Sequence, residues 1–206
     1  MSMVTTAPPR RHRLWQLTVD RYVRMAEAGI LTEKDRVILW KGQLVETMTK
    51  GRPHVVVALR IDRALLRVVP DGWHVEHEAP MVLTQRNDTL PEPDVMVVRG
   101  RMEDYSTAPT TRAVPLVIEV ADSSLPDDRS EMLEMYGAES IPVFWIVNIP
   151  DRWIEVYTRP TGPAIPPGYG VCTIFRPGDE VPVVIDGVEV GRIAVDEIVP
   201  GKEPRT

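Results

Sequence analysis

Cysteine is almost missing from this chain. Cys172 is the only one in 206 residues, which excludes an intrachain disulfide and any cysteine-built zinc cage, and it agrees with a reducing compartment. Lying between Val171 and Thr173 in what reads as a strand, it is expected to be packed and inert rather than a nucleophile. Long hydrophobic runs are missing too. The longest apolar stretches, such as Val55 to Leu59, fall far short of the roughly 20 residues a membrane-spanning helix needs, so a soluble, cytoplasmic protein without a membrane partner is expected. Positive charge is not in surplus either. A formal net charge of −6 argues against a broad phosphate-binding surface, because such affinity comes from many Lys and Arg contacts. A local basic groove is still allowed, and a site that handles phosphate through metal ions can itself be acidic. There is no internal repeat and no low-complexity tract. Residues 1–13 carry Pro8, Pro9 and the cluster Arg10-Arg11-His12-Arg13 but no apolar core of a secretory signal, so export is not expected.

With 43% hydrophobic residues the chain can bury one substantial core. The expected organisation is a flexible basic leader over 1–17, a main domain over 18–160, and a proline- and glycine-rich loop with a β-hairpin tail over 161–206 packed on the same domain. Tyr22, Val23, Met25 and Ala26 recur at helical spacing and stop at Gly29. Apolar residues around Lys41-Gly42-Gln43 predict a hairpin. Gly51-Arg52-Pro53-His54 opens a helix running to Val69, closed by Pro70-Asp71-Gly72. Extended segments are predicted at 73–77, 81–83 and 94–98, then a polar connection over 100–114. The nearly continuous apolar run Leu116 to Val120 predicts a strand buried on both faces. A helix over 128–138, strands over 143–147 and 153–157, a loop over 158–170 and an Asp186-Gly187 hairpin complete the chain. The fold class expected is α/β (α+β), a mixed central sheet flanked by helices with a C-terminal hairpin extension.

The residues most able to carry chemistry are Asp94, at the head of a strand after Pro91-Glu92-Pro93, and Glu119, inside the apolar run Leu116 to Val120. An ionised carboxylate in such a strand must be paired, hydrogen-bonded or metal-bound. Two of them on adjacent strands make a site for a hard, oxygen-seeking cation, Mg²⁺ above all. The same spacing equally fits a turn cap at Asp94 and an arginine partner for Glu119. Asp122, Ser123 and Ser124 follow directly and read either as turn and cap residues or as the mouth of a cleft in which Asp122 meets substrate. His74 and His77, three residues apart with no cysteine beside them, are not expected to bind zinc. Trp145, Trp153 and Tyr157 read as core or subunit interface before they read as base-stacking platforms.

A set of phrases in fixed order then narrows the choice. They are Tyr22-Val23-Arg24-Met25 with Ala28-Gly29-Ile30-Leu31, Gly42-Gln43-Leu44-Val45, Pro53-His54, Pro91-Glu92-Pro93-Asp94-Val95, Val117-Ile118-Glu119-Val120, Asp128-Arg129 with Tyr136, and Ile141 to Asn148. Together they resemble the Uma-two family of restriction-endonuclease-like proteins in the PD-(D/E)XK nuclease superfamily. The resemblance implies a restriction-endonuclease-like fold over 18–160. It also implies a metal held by Asp94, Glu119 and the Val120 carbonyl, with Mg²⁺ as cofactor and Mn²⁺ as substitute, DNA as partner and a homodimer that cuts both strands. His54 stands where the family has a histidine, and reads either as an acid, base or phosphate contact or as a helix-start residue bonded to backbone.

Two positions depart from the family's pattern. The lysine it implies would fall, by its offsets from Asp128 and Tyr136, on Met132, and a glutamate near the first hairpin would fall on Ile38. Glu46 is not expected to replace the latter, because it projects from a different strand. Arg129, three residues before Met132, is the nearest cation and a candidate substrate contact. Losing a charge that steadies the transition state costs on the order of a hundredfold in rate. The expectation is therefore a metal-dependent endonuclease impaired at Met132. The alternative is an inactive nuclease-fold module that binds nucleic acid or protein.

Overall fold

A computed structural model describes residues 14–199, so the basic cluster Arg10-Arg11-His12-Arg13 lies outside the described residues. In chain order come α1 (Val19–Glu27), β1 (Val37–Trp40), β2 (Gln43–Glu46), α2 (Arg52–Leu65), β3 (Trp73–His77), β4 (Val95–Arg99) and β5 (Leu116–Ala121). A helical segment follows, from α3 (Leu125–Asp127) through a π turn (Asp128–Met132) into α4 (Leu133–Ala138). The rest is β6 (Val143–Asn148), β7 (Trp153–Pro160), β8 (Tyr169–Phe175), β9 (Glu180–Ile185), β10 (Val188–Ala194) and α5 (Val195–Ile198). No helix among the described residues is long and apolar enough to cross a membrane.

Six strands form the central sheet in the order β3-β4-β5-β6-β7-β8, and β1-β2 and β9-β10 are separate hairpins. Within the central sheet β5 and β6 are parallel and all other neighbours antiparallel. Parallel neighbours need a crossover, which is why the helical segment α3 to α4 lies between them. The predicted mixed sheet flanked by helices, with a C-terminal hairpin, is what forms.

Alternation along the strands sends side chains into two cores. Val95, Val97, Ile118, Val120, Trp145 and Val147 pack under α2, through Val57, Ile61, Ala64 and Leu65, and under the β9-β10 hairpin, through Val181, Val183 and Ile193. Met96, Val98, Val117, Phe144 and Ile146 face Met135, Tyr136 and Ile141 from the opposite side. Both faces of β5 are therefore covered and all six of its residues are buried, which explains its unbroken apolar sequence. Burying each of the larger side chains contributes about 1.5–3 kcal/mol.

Four local expectations change. The segment 81–83 does not join the sheet and makes a single bridge, Val82 with Thr110. Its backbone is satisfied by loops, with the Met81 N–H donating to Pro91 at 2.9 Å and the Val82 N–H to Pro109 at 2.9 Å. Met81 and Leu83 are apolar because they fill the second core. The loop expected over 158–170 shrinks to 161–168, because Pro160 still pairs with Tyr169 across β7 and β8. Here α4 runs against the loop so closely that a Cβ on Gly137 would lie 2.5 Å from the Gly168 carbonyl. Cys172 is exposed rather than packed, because β8 is an edge strand whose outer face is uncovered. The predicted 128–138 helix begins with the π turn instead of regular α-helix. The Asp186-Gly187 hairpin forms as expected, both residues having positive φ, 49° and 78°, as a two-residue turn of this kind requires.

Candidate active site

Because β4 runs antiparallel to β5, with Val95 opposite Ile118, the residue leading β4 falls beside the C-terminal end of β5. Asp94 and Glu119 are thereby brought together, the Asp94 N–H donating to Glu119 Oε2 at 3.3 Å. Both are buried. They open onto a cavity of about 600 Å³ whose walls include Ile38, Trp40, Lys50, His54, Asp122, Asp128, Met132 and Tyr136.

The two oxygens of Asp94 have different partners. Oδ2 accepts the Val120 N–H at 2.7 Å and lies 2.9 Å from His54 Nε2, while Oδ1 is bonded to the Lys50 ammonium. Burial opposes ionisation of this carboxyl, but the His54 hydrogen bond and the Lys50 charge outweigh it and hold Asp94 below the usual carboxylate range. Against an ionised Asp94, His54 donates from Nε2. Its Nδ1 is buried and has no hydrogen-bond partner among the described residues.

Glu119 is the opposite case. The Tyr136 hydroxyl donates to its Oε1 at 2.6 Å, yet burial, and then the charge of Asp94, push its carboxyl well above the usual range. Asp128, held by the Ser124 hydroxyl at 2.8 Å, is pushed up to about 6 by burial, with the charge of Asp94 adding to it. Burial likewise raises Glu92. The cleft is a collection of carboxyls short of positive charge.

Of the residues singled out from sequence, Asp94, Glu119, Val120, His54 and Asp122 meet at this cavity. Arg129 does not. It donates from Nε to Glu155 Oε2 at 3.1 Å, and its terminal nitrogen bonds Glu155 Oε1. Trp153 Nε1 and the Tyr157 hydroxyl donate to the same carboxylate, at 2.9 Å and 2.7 Å, and Trp145 is in the core. His74 is bonded to the Gly100 carbonyl and Glu76, His77 to Asp62. Met132 and Ile38, where the resemblance implied a lysine and a glutamate, both line the cavity and give the cleft an apolar wall. Glu46 also reaches the cavity from β2, although its strand made it an unpromising replacement for the missing glutamate.

The residue that sequence reasoning missed is Lys50. It stands in the irregular segment before α2, and its Nζ bridges Asp94 and Glu78, the latter at 3.0 Å. Burial works against its charge, but the two carboxylates raise its pKa. No periodic signal marks it: Lys50 lies four residues before His54, outside α2, with the extended Gly51 between it and the helix.

A mixed sheet of this topology, with acidic residues at the mouth of its central strands, is the restriction-endonuclease-like arrangement expected from the sequence. Residues 19–194 match the Uma2 family, described as "Putative restriction endonuclease", and the chain belongs to that family. Among solved structures it is similar to a "putative nuclease belonging to DUF820" from Anabaena variabilis. The likeness has a TM-score of 0.62 and 15% identity, over 88% of this chain and 97% of the other, and it establishes the shared fold. No curated protein gives a significant match.

Proposed function

We propose that this protein is a divalent-metal-dependent endonuclease that hydrolyses phosphodiester bonds in DNA, using Mg²⁺ with Mn²⁺ as a substitute. The observation that carries the reading is the meeting of two buried carboxyls, Asp94 and Glu119, on the wall of one cavity, where Glu119 is bonded by the Tyr136 hydroxyl and the Asp94 N–H and by no cation among the described residues. No cluster of three or more His, Cys, Asp or Glu side chains suited to a metal occurs among the described residues. The fit is instead to an ion that accepts one or two carboxylates and keeps its waters, which is the habit of Mg²⁺. Asp94 and Glu119 would hold it, with the Val120 carbonyl as a third oxygen.

Such an ion supplies polarisation of the scissile phosphate and a more acidic water. The chain's own residues do the rest. The Val120 N–H and His54 fix the Asp94 carboxylate by its Oδ2, and Tyr136 fixes Glu119 by its Oε1. His54 lines the cleft with its Nε2 on Asp94, and Asp122 stands at its mouth. A homodimer would give two such sites for a duplex, which sedimentation at micromolar concentration tests.

The decisive experiment is cleavage of supercoiled plasmid and single-stranded DNA with Mg²⁺ or Mn²⁺, beside Asp94→Ala. Metal-dependent cutting that vanishes in Asp94→Ala is the expected result. The second reading, an inactive nuclease-fold module that binds nucleic acid or protein, is favoured by the apolar faces of Met132 and Ile38 in the cavity. It takes over if wild type and Met132→Lys both fail to cut, whereas activity gained only with Met132→Lys identifies a degenerate nuclease.

A further inference from the structure

The lysine expected on the helix after β5 is absent, but the cleft is not without an ammonium group. Lys50 enters it from the opposite wall, and the manner of its bonding sets a condition on any cation that binds there. Asp94 Oδ2 is already taken by the Val120 N–H and His54 Nε2. Glu119 Oε1 takes the Tyr136 hydroxyl, and Oε2 faces the Asp94 N–H. Glu119 therefore keeps acceptor capacity for an incoming ion, whereas on Asp94 the oxygen with room is Oδ1, and Lys50 sits on it.

We propose that Lys50 is the cleft's movable cation. It neutralises Asp94 in the free protein, yields Oδ1 when a divalent ion enters, and then offers its ammonium group to the phosphate of the substrate. The inference rests on the metal-site reading above.

Three features permit the movement. Residues 47–51 between β2 and α2 have no regular structure, so no ladder holds the lysine's backbone. Its side chain is one-third exposed and its other partner, Glu78, is more than half exposed, so the Glu78 contact costs little to leave, and the buried Asp94 carboxylate is compensated by the entering dication in place of the lysine. The lysine stem is long and flexible and ends in a compact charge with three donors. Once a dication has replaced it at Asp94, like-charge repulsion at roughly 4 Å disfavours its return, while the anion of a bound nucleic acid draws it in. A cation on this wall also accounts for an apolar residue at 132, since the charge that would have stood there is delivered from across the cleft.

The test is calorimetric titration of Mn²⁺ into the full chain, with Lys50→Met, Lys50→Arg and Asp94→Asn alongside wild type. Because Lys50 competes with the ion, Lys50→Met is expected to bind Mn²⁺ at least roughly tenfold more tightly. Lys50→Arg should stay close to wild type, and Asp94→Asn should bind none. At saturating Mn²⁺ the same Lys50→Met protein should cut plasmid about a hundredfold more slowly, with partial rescue in Lys50→Arg. Circular dichroism confirms folding, and Lys50→Gln replaces Lys50→Met if the latter unfolds. An unchanged or weaker Mn²⁺ affinity in Lys50→Met, with wild type still binding and cutting, overturns the proposal and spares the nuclease reading. Tighter binding with undiminished cutting also overturns it, since Lys50 would then be a competitor only. No Mn²⁺ binding by any of these proteins overturns both.

Discussion

Glu119 and Glu155 occupy one row of the sheet. Glu119 on β5 pairs with Ile146 on β6, and Ile146 with Glu155 on β7, so two buried carboxyls leave the same face two strand spacings, roughly 10 Å, apart. Glu155 is surrounded by donors: Arg129, Trp153 Nε1 and the Tyr157 hydroxyl. Burial opposes its ionisation, but these partners hold it below the usual range. Glu119 receives one hydroxyl and one longer backbone N–H, and it is held far above that range. Glu139, a third buried carboxylate, has no cation beside it among the described residues and accepts from Thr84, Gln85 and Thr111 at 2.7 to 2.9 Å. A carboxylate that merely braces the fold is completed by its neighbours. The one at the cleft is left incomplete, which is what the proposed cation site requires.

Neutralising each member of the Glu119 and Glu155 pair, or its partner, should therefore have opposite consequences. Glu119→Gln removes a charge that the fold does not compensate, so metal-dependent cleavage is expected to fall by about a hundredfold or more. Stability in urea at pH 8 should meanwhile stay within about 1 kcal/mol of wild type or rise. A large loss of stability in this variant would place Glu119 with Glu155 as a structural carboxylate. Arg129→Met does the reverse. It strips the cation from a glutamate that is 2% exposed, and removing one partner of such a pair costs several kcal/mol. Because Arg129 itself is partly exposed, about 2–4 kcal/mol is expected here. Cleavage per folded molecule should be retained, and its loss would return Arg129 to the list of substrate contacts.

The same contrast explains what could be seen in the sequence. A carboxylate inside Leu116 to Val120 is conspicuous because an apolar run buried on both faces cannot hold it without compensation, and Asp94 is conspicuous because it heads the neighbouring strand. Lys50 was not visible. It lies in an aperiodic turn, and its bond to Asp94 spans 44 positions that only the folded sheet closes. Arg129 lies away from the cavity for a local reason. Its expected place rested on α-helical offsets, and the π turn Asp128–Met132 lengthens the repeat, which leaves Arg129 on Glu155 of β7 instead of in the cleft. The segment 81–83 misled in another way, since an apolar alternation records burial and not ladder pairing.

Asp128 gives the finest division between compensated and uncompensated carboxyls. The Ser124 hydroxyl supports it at 2.8 Å, but burial and the nearby charge of Asp94 push it up to about 6. Its folded-state pKa is thus above its unfolded value near 4, so between those values the folded chain keeps a proton that the unfolded chain has released. The stability this contributes is fully present below about pH 4 and is lost as pH rises through about 6. Asparagine keeps an acceptor for Ser124 and cannot ionise. Asp128→Asn is therefore expected to be more stable than wild type by about 1–3 kcal/mol at pH 8 and equal to it near pH 4, as measured by urea unfolding across that range. A gain of the same size at every pH would mean that packing, not charge, separates the two proteins, and Asp128 would then belong with Glu139 among the carboxyls the fold completes.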